Sequence, residues 1–319
     1  MLRALLLYFS QARWARRLVT QWGFARRAAS RFVAGETLGE ALDAIAVLNR
    51  RGMHATLDHL GEHVDHAEAA RAATQDYLEI LERICSSGVR SNASLKLTQL
   101  GLALDYELCL GNLRQIVRKA STCGIFVRID MEDSPTVDRT LAICHELQSE
   151  GLANVGVVIQ AYLYRSQADV ASLAINGTRI RLCKGAYMEP AAVAFPKKSE
   201  VDNSYDRLAS MLIDAALRHG SEPSSPDGRV PALAAIATHD PKRIDFARQY
   251  AERVGLPRPA LEFQMLYGIR SDLQQLLADE GYPVRVYVPY GSEWYPYYVR
   301  RLAERPANLW WFLKNLVRG

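Results

Sequence analysis

The most constraining feature of this sequence is a regular alternation between short apolar runs and longer segments with helical periodicity. Eight apolar runs predict buried strands at residues 53–57, 93–97, 126–131, 155–161, 179–183, 232–238, 261–266 and 284–288. Helical periodicity follows each run, at residues 66–87, 105–121, 135–150, 166–175, 203–219, 241–254, 270–280 and 293–304, and again near 307–317. Strands that alternate with helices in this way predict a parallel sheet.

Eight strand–helix units match the content of a (β/α)8 barrel. A doubly wound open sheet is the alternative, but no G-x-G-x-x-G motif follows the first strand. The usual dinucleotide-binding signature of that fold is therefore missing. We expect a barrel over residues 46–319, preceded by an Arg-rich helical segment over residues 1–45.

Composition excludes several other classes of protein. The chain is 49% hydrophobic and 23% charged, which is ordinary for a globular protein and not for a collagen-like or disordered one. Its net charge of +4 is too small to indicate a nucleic-acid partner. The five cysteines are widely spaced without a CxxC pair, which argues against a disulfide framework or a structural zinc site. With no apolar stretch of membrane-spanning length and no cleavable signal pattern, we expect a cytoplasmic protein.

The N-terminal segment has a composition of its own. Seven arginines lie before residue 32, interleaved with Leu and Trp, and no acidic residue precedes Glu36. One interpretation is a basic amphipathic helix within residues 1–33 that lies on an anionic membrane surface, such as the inner face of the cell membrane. The interpretation we favour is packing of its apolar face on the main domain. Thr37 is expected to cap the next helix.

A barrel predicts where its own functional site lies, because active sites of this fold form at the carboxyl ends of the strands. Polar side chains stand at or just beyond the ends of most of the predicted strands, and they are Lys96, Asp130, Gln160, Arg181, Lys184, Thr238, His239, Gln264 and Tyr287. A lysine, an aspartate and an arginine at one end of a barrel predict a binding site rather than isolated structural ion pairs.

The eighth helix adds a second cluster. Tyr297, Arg300, Arg301 and Glu304 recur at spacings of three and four residues and so share one helical face. Two adjacent guanidinium groups can hold a carboxylate through paired hydrogen bonds, and an aromatic ring beside them suits a small apolar ring.

Two other chemistries are compatible with parts of the sequence. His59 and His63 are four residues apart and could chelate a metal on a helix, but Gly61 interrupts that helix and no HExxH pattern is present, so no metal site is expected. Lys96 or Lys184 could serve as the Schiff-base lysine of a barrel aldolase or lyase, which is the alternative function. Arg181 lies close enough in sequence to lower the pKa of Lys184.

The same segments resemble the proline dehydrogenase family, in order, over roughly residues 52–310. The matching motifs are Leu95-Lys-Leu97, Arg128-Ile-Asp-Met-Glu132, Ile159-Gln-Ala-Tyr162, Arg181-Leu-Cys-Lys-Gly-Ala-Tyr187, Ala237-Thr-His-Asp240, Glu262-Phe-Gln-Met-Leu-Tyr-Gly268, Tyr287-Val-Pro-Tyr-Gly291 and Tyr297-Tyr-Val-Arg-Arg-Leu-Ala-Glu304. The combination of the fourth motif with the last one is specific.

This resemblance implies a distorted (β/α)8 barrel that binds FAD non-covalently and oxidises L-proline to Δ1-pyrroline-5-carboxylate. It implies that Arg300 and Arg301 hold the proline carboxylate, with Lys96 and Asp130 in the same pocket. Its other implied substrate contacts are Tyr187, Leu266, Tyr287, Tyr297 and, on the first loop, Glu62. The implied cofactor contacts are Gln160, Arg181, Cys183, Lys184, Gly185, Ala186, Thr238, His239, Gln264 and Glu304.

The resemblance also implies partners. Enzymes of this family pass electrons to a quinone, which strengthens the membrane interpretation of residues 1–33. The chain leaves no room for an aldehyde dehydrogenase domain after residue 319, so we expect a monofunctional enzyme and a separate pyrroline-5-carboxylate dehydrogenase downstream.

Overall fold

The computed structural model describes residues 29–61 and 64–304 of the chain, with side chains described as far as residue 301. Eight parallel strands follow one another around a closed barrel, and β8 pairs with β1 to complete it. Their bounds are β1 His54–His59, β2 Ser91–Leu95, β3 Val127–Ile129, β4 Val155–Gln160, β5 Ile180–Cys183, β6 Ala234–Ala237, β7 Leu261–Leu266 and β8 Val284–Tyr290. The predicted barrel is confirmed.

Nine α-helices of the described part of the chain accompany these strands. Their bounds are α1 Leu38–Arg50, α2 Ala67–Ser87, α3 Tyr106–Thr122, α4 Val137–Ser149, α5 Ser166–Ile175, α6 Lys198–Arg218, α7 Pro241–Val254, α8 Ser271–Asp279 and α9 Trp294–Glu304. The further helix predicted near 307–317 lies outside the described residues. Thr37 caps α1 as predicted, in a capping box in which Glu40 returns a hydrogen bond to the Thr37 backbone.

Several element boundaries differ from the sequence predictions by a few residues, and three of the differences bear on the site or on a helix start. Strand β2 ends before Lys96, because a 3₁₀ turn over Leu97–Leu100 follows at once. Strand β3 ends at Ile129, so Asp130 stands beyond it rather than inside it. Helix α6 begins five residues earlier than predicted, where the Glu200 carboxylate accepts the backbone N–H of Lys197.

The main core lies between the strands and the surrounding helices and is almost wholly aliphatic. The amino-terminal end of the barrel interior is instead closed by a buried ion pair. Glu262 and Arg285 are both 0% exposed, and Arg285 Nε lies 2.9 Å from Glu262 Oε1. Arg285 also donates to the carbonyls of Ala55 and Gly228, so every charge in this plug is hydrogen-bonded.

A second, smaller cluster joins the described end of the N-terminal segment to α9. Phe32 and Val33 are buried against Trp294 and Tyr298, and the rings of Phe32 and Tyr298 lie 6.1 Å apart. These residues pack on the barrel, as the packing interpretation expects. The division at residue 45 stays a prediction, as does the interpretation of residues 1–28, which lie outside the described part. In residues 29–61 and 64–304, no helix is both long and apolar enough to cross a bilayer.

Candidate active site

A cavity of about 870 Å³ opens at the carboxyl ends of the strands, where the fold predicts the site. It brings together the predicted residues Lys96, Asp130, Gln160, Arg181, Cys183, Lys184, Gly185, Ala186, Tyr187, Thr238, His239, Gln264, Leu266, Tyr287, Tyr297, Arg300 and Arg301. Glu62 and the side chain of Glu304 lie outside the described residues. The roles assigned to these residues stay predictions, but their assembly in one cavity is observed.

Asp130 is the electrostatic centre of the cavity floor. Its carboxylate accepts hydrogen bonds from the Ser94 hydroxyl at 2.6 Å, from the Tyr287 hydroxyl at 2.8 Å and from the Arg181 guanidinium. Burial raises the pKa of Asp130, but Arg181 and Lys96 outweigh it and hold that pKa below its ordinary value. Asp130 is therefore a fixed carboxylate and not an acid at neutral pH.

Lys96 lies between two carboxylates. Its Nζ is 3.1 Å from Asp58 Oδ1 and 3.7 Å from Asp130 Oδ2. Burial lowers the pKa of Lys96, but these two carboxylates raise it above its ordinary value. A Schiff-base lysine needs the opposite shift, because the neutral amine is the nucleophile. The structure therefore gives the aldolase alternative no support at Lys96.

Lys184 has a similar anionic setting. Its ammonium contacts the Asp202 carboxylate and lies 2.7 Å from Asp240 Oδ2. Asp202 also pairs with Lys198 at 2.5 Å, so the ammonium and carboxylate groups form a network along this side of the cavity. This is neither the apolar nor the cationic environment that an aldolase lysine requires, and Lys184 does not favour that alternative.

Arg181 occupies the centre of the cavity beneath an aromatic ring. Its guanidinium lies 5.1 Å from the centroid of the Tyr287 ring and is only 10% exposed. Burial lowers the pKa of Arg181, while Asp130 raises it, and the net shift is upward. The result is a permanent positive charge that faces the cavity between β5 and β8.

Helix α9 brings aromatic and cationic groups to the mouth of the cavity. The Arg301 guanidinium packs over the Tyr297 ring at 5.0 Å, and both side chains are buried, whereas Arg300 is partly exposed. The predicted common face is confirmed for these three residues, which all line the cavity. Two adjacent guanidinium groups at one rim are suited to bind a carboxylate.

The remaining wall residues are less polar. Leu266 ends β7 and Tyr187 lies in the loop after β5, where its side chain faces the cavity. Burial raises the pKa of Tyr187 to about 12, with nearby Glu132 adding to the effect, so the phenol is neutral at physiological pH. The walls are therefore apolar rings with neutral hydroxyl groups.

The opposite side of the cavity combines amide, hydroxyl and backbone groups from β4, β5, β6 and β7. Gln160 donates to the Met131 carbonyl at 3.3 Å, and Gln264 donates to Glu262 at 2.6 Å. Thr238 Oγ1 accepts from the Asp240 backbone, and His239 Nε2 accepts from the backbone N–H of Leu266 at 2.9 Å, which orients both side chains.

The loop after β5 contributes backbone at Gly185 as well as the side chains of Lys184 and Tyr187. Gly185 has φ of +110°, and a Cβ atom there would lie 2.3 Å from the Tyr162 ring. Glycine is therefore required at this position, and the backbone around it lies open to the cavity. Burial raises the pKa of the neighbouring Cys183 to about 11, so its thiol is protonated at neutral pH.

No group of three metal-ligating side chains occurs within residues 29–61 and 64–304. His63 lies outside these residues. His59 stacks on Tyr290 at 5.0 Å and lies 3.6 Å from Asp76. These contacts indicate a structural role for His59.

Three carboxylates that pair with the site lysines were not among the predicted site residues. Asp58 is the next-to-last residue of β1, and Asp202 and Asp240, the latter at the end of a matching motif, are the partners of Lys184. Asp58 could have been predicted, because functional side chains of this fold lie at the carboxyl ends of the strands and Asp58 lies at that end of β1. Asp202 lies on α6, eighteen residues from Lys184 in sequence, and no local pattern indicates that contact.

Fold and site together define the class of (β/α)8-barrel enzymes that carry a cationic and aromatic cavity at the carboxyl ends of the strands. The family model for proline dehydrogenase matches residues 41–310. Proline dehydrogenase 2 of Bacillus subtilis is 39% identical over 99% of each chain, and proline dehydrogenase of Deinococcus radiodurans is 41% identical over 91% of this chain and 90% of its own. The chain belongs to the proline dehydrogenase family and is an enzyme of that activity.

Solved structures agree on the fold. Proline utilization A from Bdellovibrio bacteriovorus, inactivated by N-propargylglycine, superposes with a TM-score of 0.77 at 26% identity. The match covers 87% of this chain and 32% of that one, so the chain spans about a third of that longer protein. A mutant of the Bradyrhizobium japonicum protein of the same name superposes with a TM-score of 0.69 at 23% identity, over 87% of this chain and 31% of that one.

Proposed function

We propose that this chain oxidises L-proline to Δ1-pyrroline-5-carboxylate with non-covalently bound FAD and passes the electrons to a quinone. The observation that carries the proposal is that two kinds of group line one cavity. Arg300, Arg301, Tyr297 and Tyr287 come from α9 and β8, and amide, hydroxyl and imidazole groups held by hydrogen bonds come from β4 to β7 and the residues just after them.

The amide-lined side fits a flavin. Gln160 Oε1 is buried and has no hydrogen-bond partner among the described residues, which leaves an acceptor available for a ligand donor. The glycine-dependent backbone at residues 183–186 allows close approach of a planar ring or a phosphate. Gln160, Arg181, residues 183–186, Thr238, His239 and Gln264 would hold the cofactor, and Glu304 is proposed with them from the family pattern.

Proline has one carboxylate and one apolar ring, and the other side of the cavity matches both. Arg300 and Arg301 would hold the carboxylate, and Lys96 would add a third positive charge. The rings of Tyr187, Tyr287 and Tyr297, with Leu266, would exclude water from the pyrrolidine ring. Glu62 is proposed to close over the site from the first loop.

A bound flavin would supply the hydride acceptor for the oxidation of the substrate carbon. The residues of the chain supply orientation and electrostatics. Asp130 holds the Arg181 guanidinium in place, and the fixed positive charge of Arg181 would stabilise negative charge that develops beside it during the reaction. Substrate whose amine has lost its proton is the reactive form, because the nitrogen lone pair assists the departure of hydride.

Absorption spectroscopy of the purified protein tests this proposal. Bands of oxidised flavin that bleach when L-proline is added are expected. A colourless protein that borohydride traps with a keto acid would overturn the proposal and restore the aldolase alternative.

Electron transfer to a quinone would bring the enzyme to a membrane, and we propose that the Arg-rich segment makes that contact on the inner face of the cell membrane. Phe32 and Val33 belong to the smaller buried cluster that packs against α9, so the informative deletion is residues 1–28. The deletion should weaken binding to anionic vesicles and slow quinone-linked turnover more than turnover with a soluble dye. Equal losses in both assays would contradict the membrane role. The product would be consumed by a separate pyrroline-5-carboxylate dehydrogenase in the cytoplasm.

A further inference from the structure

Asp58 is a fully buried carboxylate directly behind Lys96. Its side chain is 0% exposed, and its two oxygens lie 3.1 and 3.2 Å from Lys96 Nζ. Asp130, the carboxylate that faces the cavity, is farther away at 3.7 Å. Asp58 is therefore the nearer counter-charge of this lysine.

The N–H donors of the Lys96 ammonium point in two directions, towards Asp58 and towards the cavity. An ammonium carries three N–H donors, and the Asp58 oxygens engage it from the interior of the barrel. The Lys96 side chain is 19% exposed and lines the cavity, so its remaining hydrogen-bonding capacity faces the position of the substrate. An ammonium held in this way cannot withdraw from the cavity without leaving a buried carboxylate unpaired.

We propose that Asp58 is a positioning residue for the substrate carboxylate: it fixes Lys96 at the cavity floor and keeps it charged. The inference rests on the proposed function, because it takes Lys96 as one of the groups that bind the proline carboxylate. Asp58 itself does not line the cavity and acts through Lys96.

The charge balance around Asp58 supports this role. The titratable groups that face it lie just beyond β2 and β3 and on β8 and α2, and they are Lys96, Asp130, Tyr287, Tyr290 and Tyr77. Burial and the nearby Asp130 raise the pKa of Asp58, whereas the Lys96 ammonium and the Tyr287 hydroxyl oppose that rise, so Asp58 and Lys96 each favour the charged form of the other. Burial raises the pKa of each of these three tyrosines, so all are neutral at physiological pH. Lys96 therefore depends on the two carboxylates for its charge, and burial would lower its pKa once Asp58 is removed.

The test replaces the carboxylate by an amide of the same shape. The Asp58→Asn holoenzyme is titrated with cyclopentanecarboxylate, which has a carboxylate and an apolar ring but no amine, by calorimetry from pH 6 to pH 10. Asp76→Asn, a change at an exposed acid on α2, is the matched control. We expect Asp58→Asn to weaken binding about tenfold or more and to lose further affinity as the pH rises towards 10, whereas the wild type, in which the pKa of Lys96 is raised, should keep its affinity across this range. Flavin affinity should stay the same.

A second variant covers the case in which Asp58→Asn does not fold. Lys96→Met removes the ammonium group that Asp58 is proposed to position. In the Lys96→Met background, Asp58→Asn should therefore cause no further loss of affinity for cyclopentanecarboxylate. An additional loss of cyclopentanecarboxylate affinity in that background would overturn the proposal. The proposal would also be overturned if Asp58→Asn lowered the melting temperature but left the pH dependence of binding the same as in the wild type. If the wild-type protein neither binds cyclopentanecarboxylate nor oxidises proline, it is the proposed function that fails.

Discussion

The hydroxyl of Tyr287 donates a hydrogen bond of 2.8 Å to Asp130 Oδ2. The same ring lies over the Arg181 guanidinium, so one side chain on β8 connects the substrate side of the cavity with the carboxylate at its floor. The sequence predicted Tyr287 as a pocket wall. The structure adds that the orientation of this wall is fixed by a charge-assisted hydrogen bond, which makes it a rigid boundary for a substrate ring.

A rigid wall at this position should make the enzyme prefer L-proline to trans-4-hydroxy-L-proline, because a 4-hydroxyl group would meet filled space. Rejection of one added group by a pocket is worth about 1–3 kcal/mol. Tyr287→Ser should narrow the preference, chiefly by reducing kcat/KM for proline. Tyr287→Phe keeps the ring and should keep most of the preference. The measurement is kcat/KM for both substrates in the three proteins, and an unchanged ratio in Tyr287→Ser would refute the role.

The guanidinium pair on α9 gives a prediction about substrate binding. Arg300→Met and Arg301→Met should each lower kcat/KM for proline while flavin stays bound, because each change removes a charge-assisted contact to the carboxylate. The expected loss is about 2–4 kcal/mol of transition-state stabilisation, by the magnitudes for charge pairs that lose a partner. Arg118→Met, at an exposed arginine on α3, is the control. Near wild-type kcat/KM in both α9 variants would contradict the carboxylate role.

Periodicity and strand-end position predicted most of this fold and site because both are local properties. Eight apolar runs gave the eight strands, and the polar residues within or at the carboxyl ends of these runs gave Lys96, Asp130 and Arg181. Strand ends were less well predicted at β3, where Asp130 lies outside the strand since no partner continues the ladder beyond Ile129.

Contacts between distant elements could not be predicted in the same way. Asp58 and Lys96 are 38 residues apart, and Arg285 and Glu262 form a buried pair between neighbouring strands. Neither pair has a local signature, because the barrel closure brings the partners together. The roles of the site residues rest on the family resemblance, since a cavity shows which groups meet and not which ligand they bind.

The backbone at Gly185 gives a prediction about cofactor affinity. Gly185→Ala should weaken flavin binding, because the new methyl group would meet the Tyr162 ring in a backbone conformation with positive φ. Gly151→Ala is the matched control, since Gly151 also has positive φ, at +85°, but has open space around it. The measurement is the flavin dissociation constant together with the melting temperature of each apoprotein. Equal flavin affinities in the two variants would show that Gly185 serves the fold alone.

The plug at the amino-terminal end of the barrel gives a prediction about acid stability. Burial raises the pKa of Glu262, but Arg285 and the Ser224 hydroxyl outweigh it and lower that pKa to about 2 from an ordinary 4.5. A carboxyl group whose pKa is lower in the folded protein than in the unfolded chain stabilises the fold. This stabilisation is complete above the pKa of the unfolded chain and is lost as the pH falls through the pKa of the folded protein. The contribution lost between about pH 4.5 and pH 2 is on the order of 3 kcal/mol.

Glu262→Gln should therefore flatten the pH dependence of the unfolding free energy across that window. At neutral pH it should destabilise the protein by about 3–5 kcal/mol, because Arg285 stays buried without its counter-charge. Denaturant unfolding at several pH values from 2 to 7 measures both effects. Asp272→Asn is the control, since Asp272 is an exposed acid paired with Arg270, and exposed pairs contribute little to stability. If Glu262→Gln and the wild type lose stability in parallel below pH 4.5, the ionised Glu262 does not stabilise the plug.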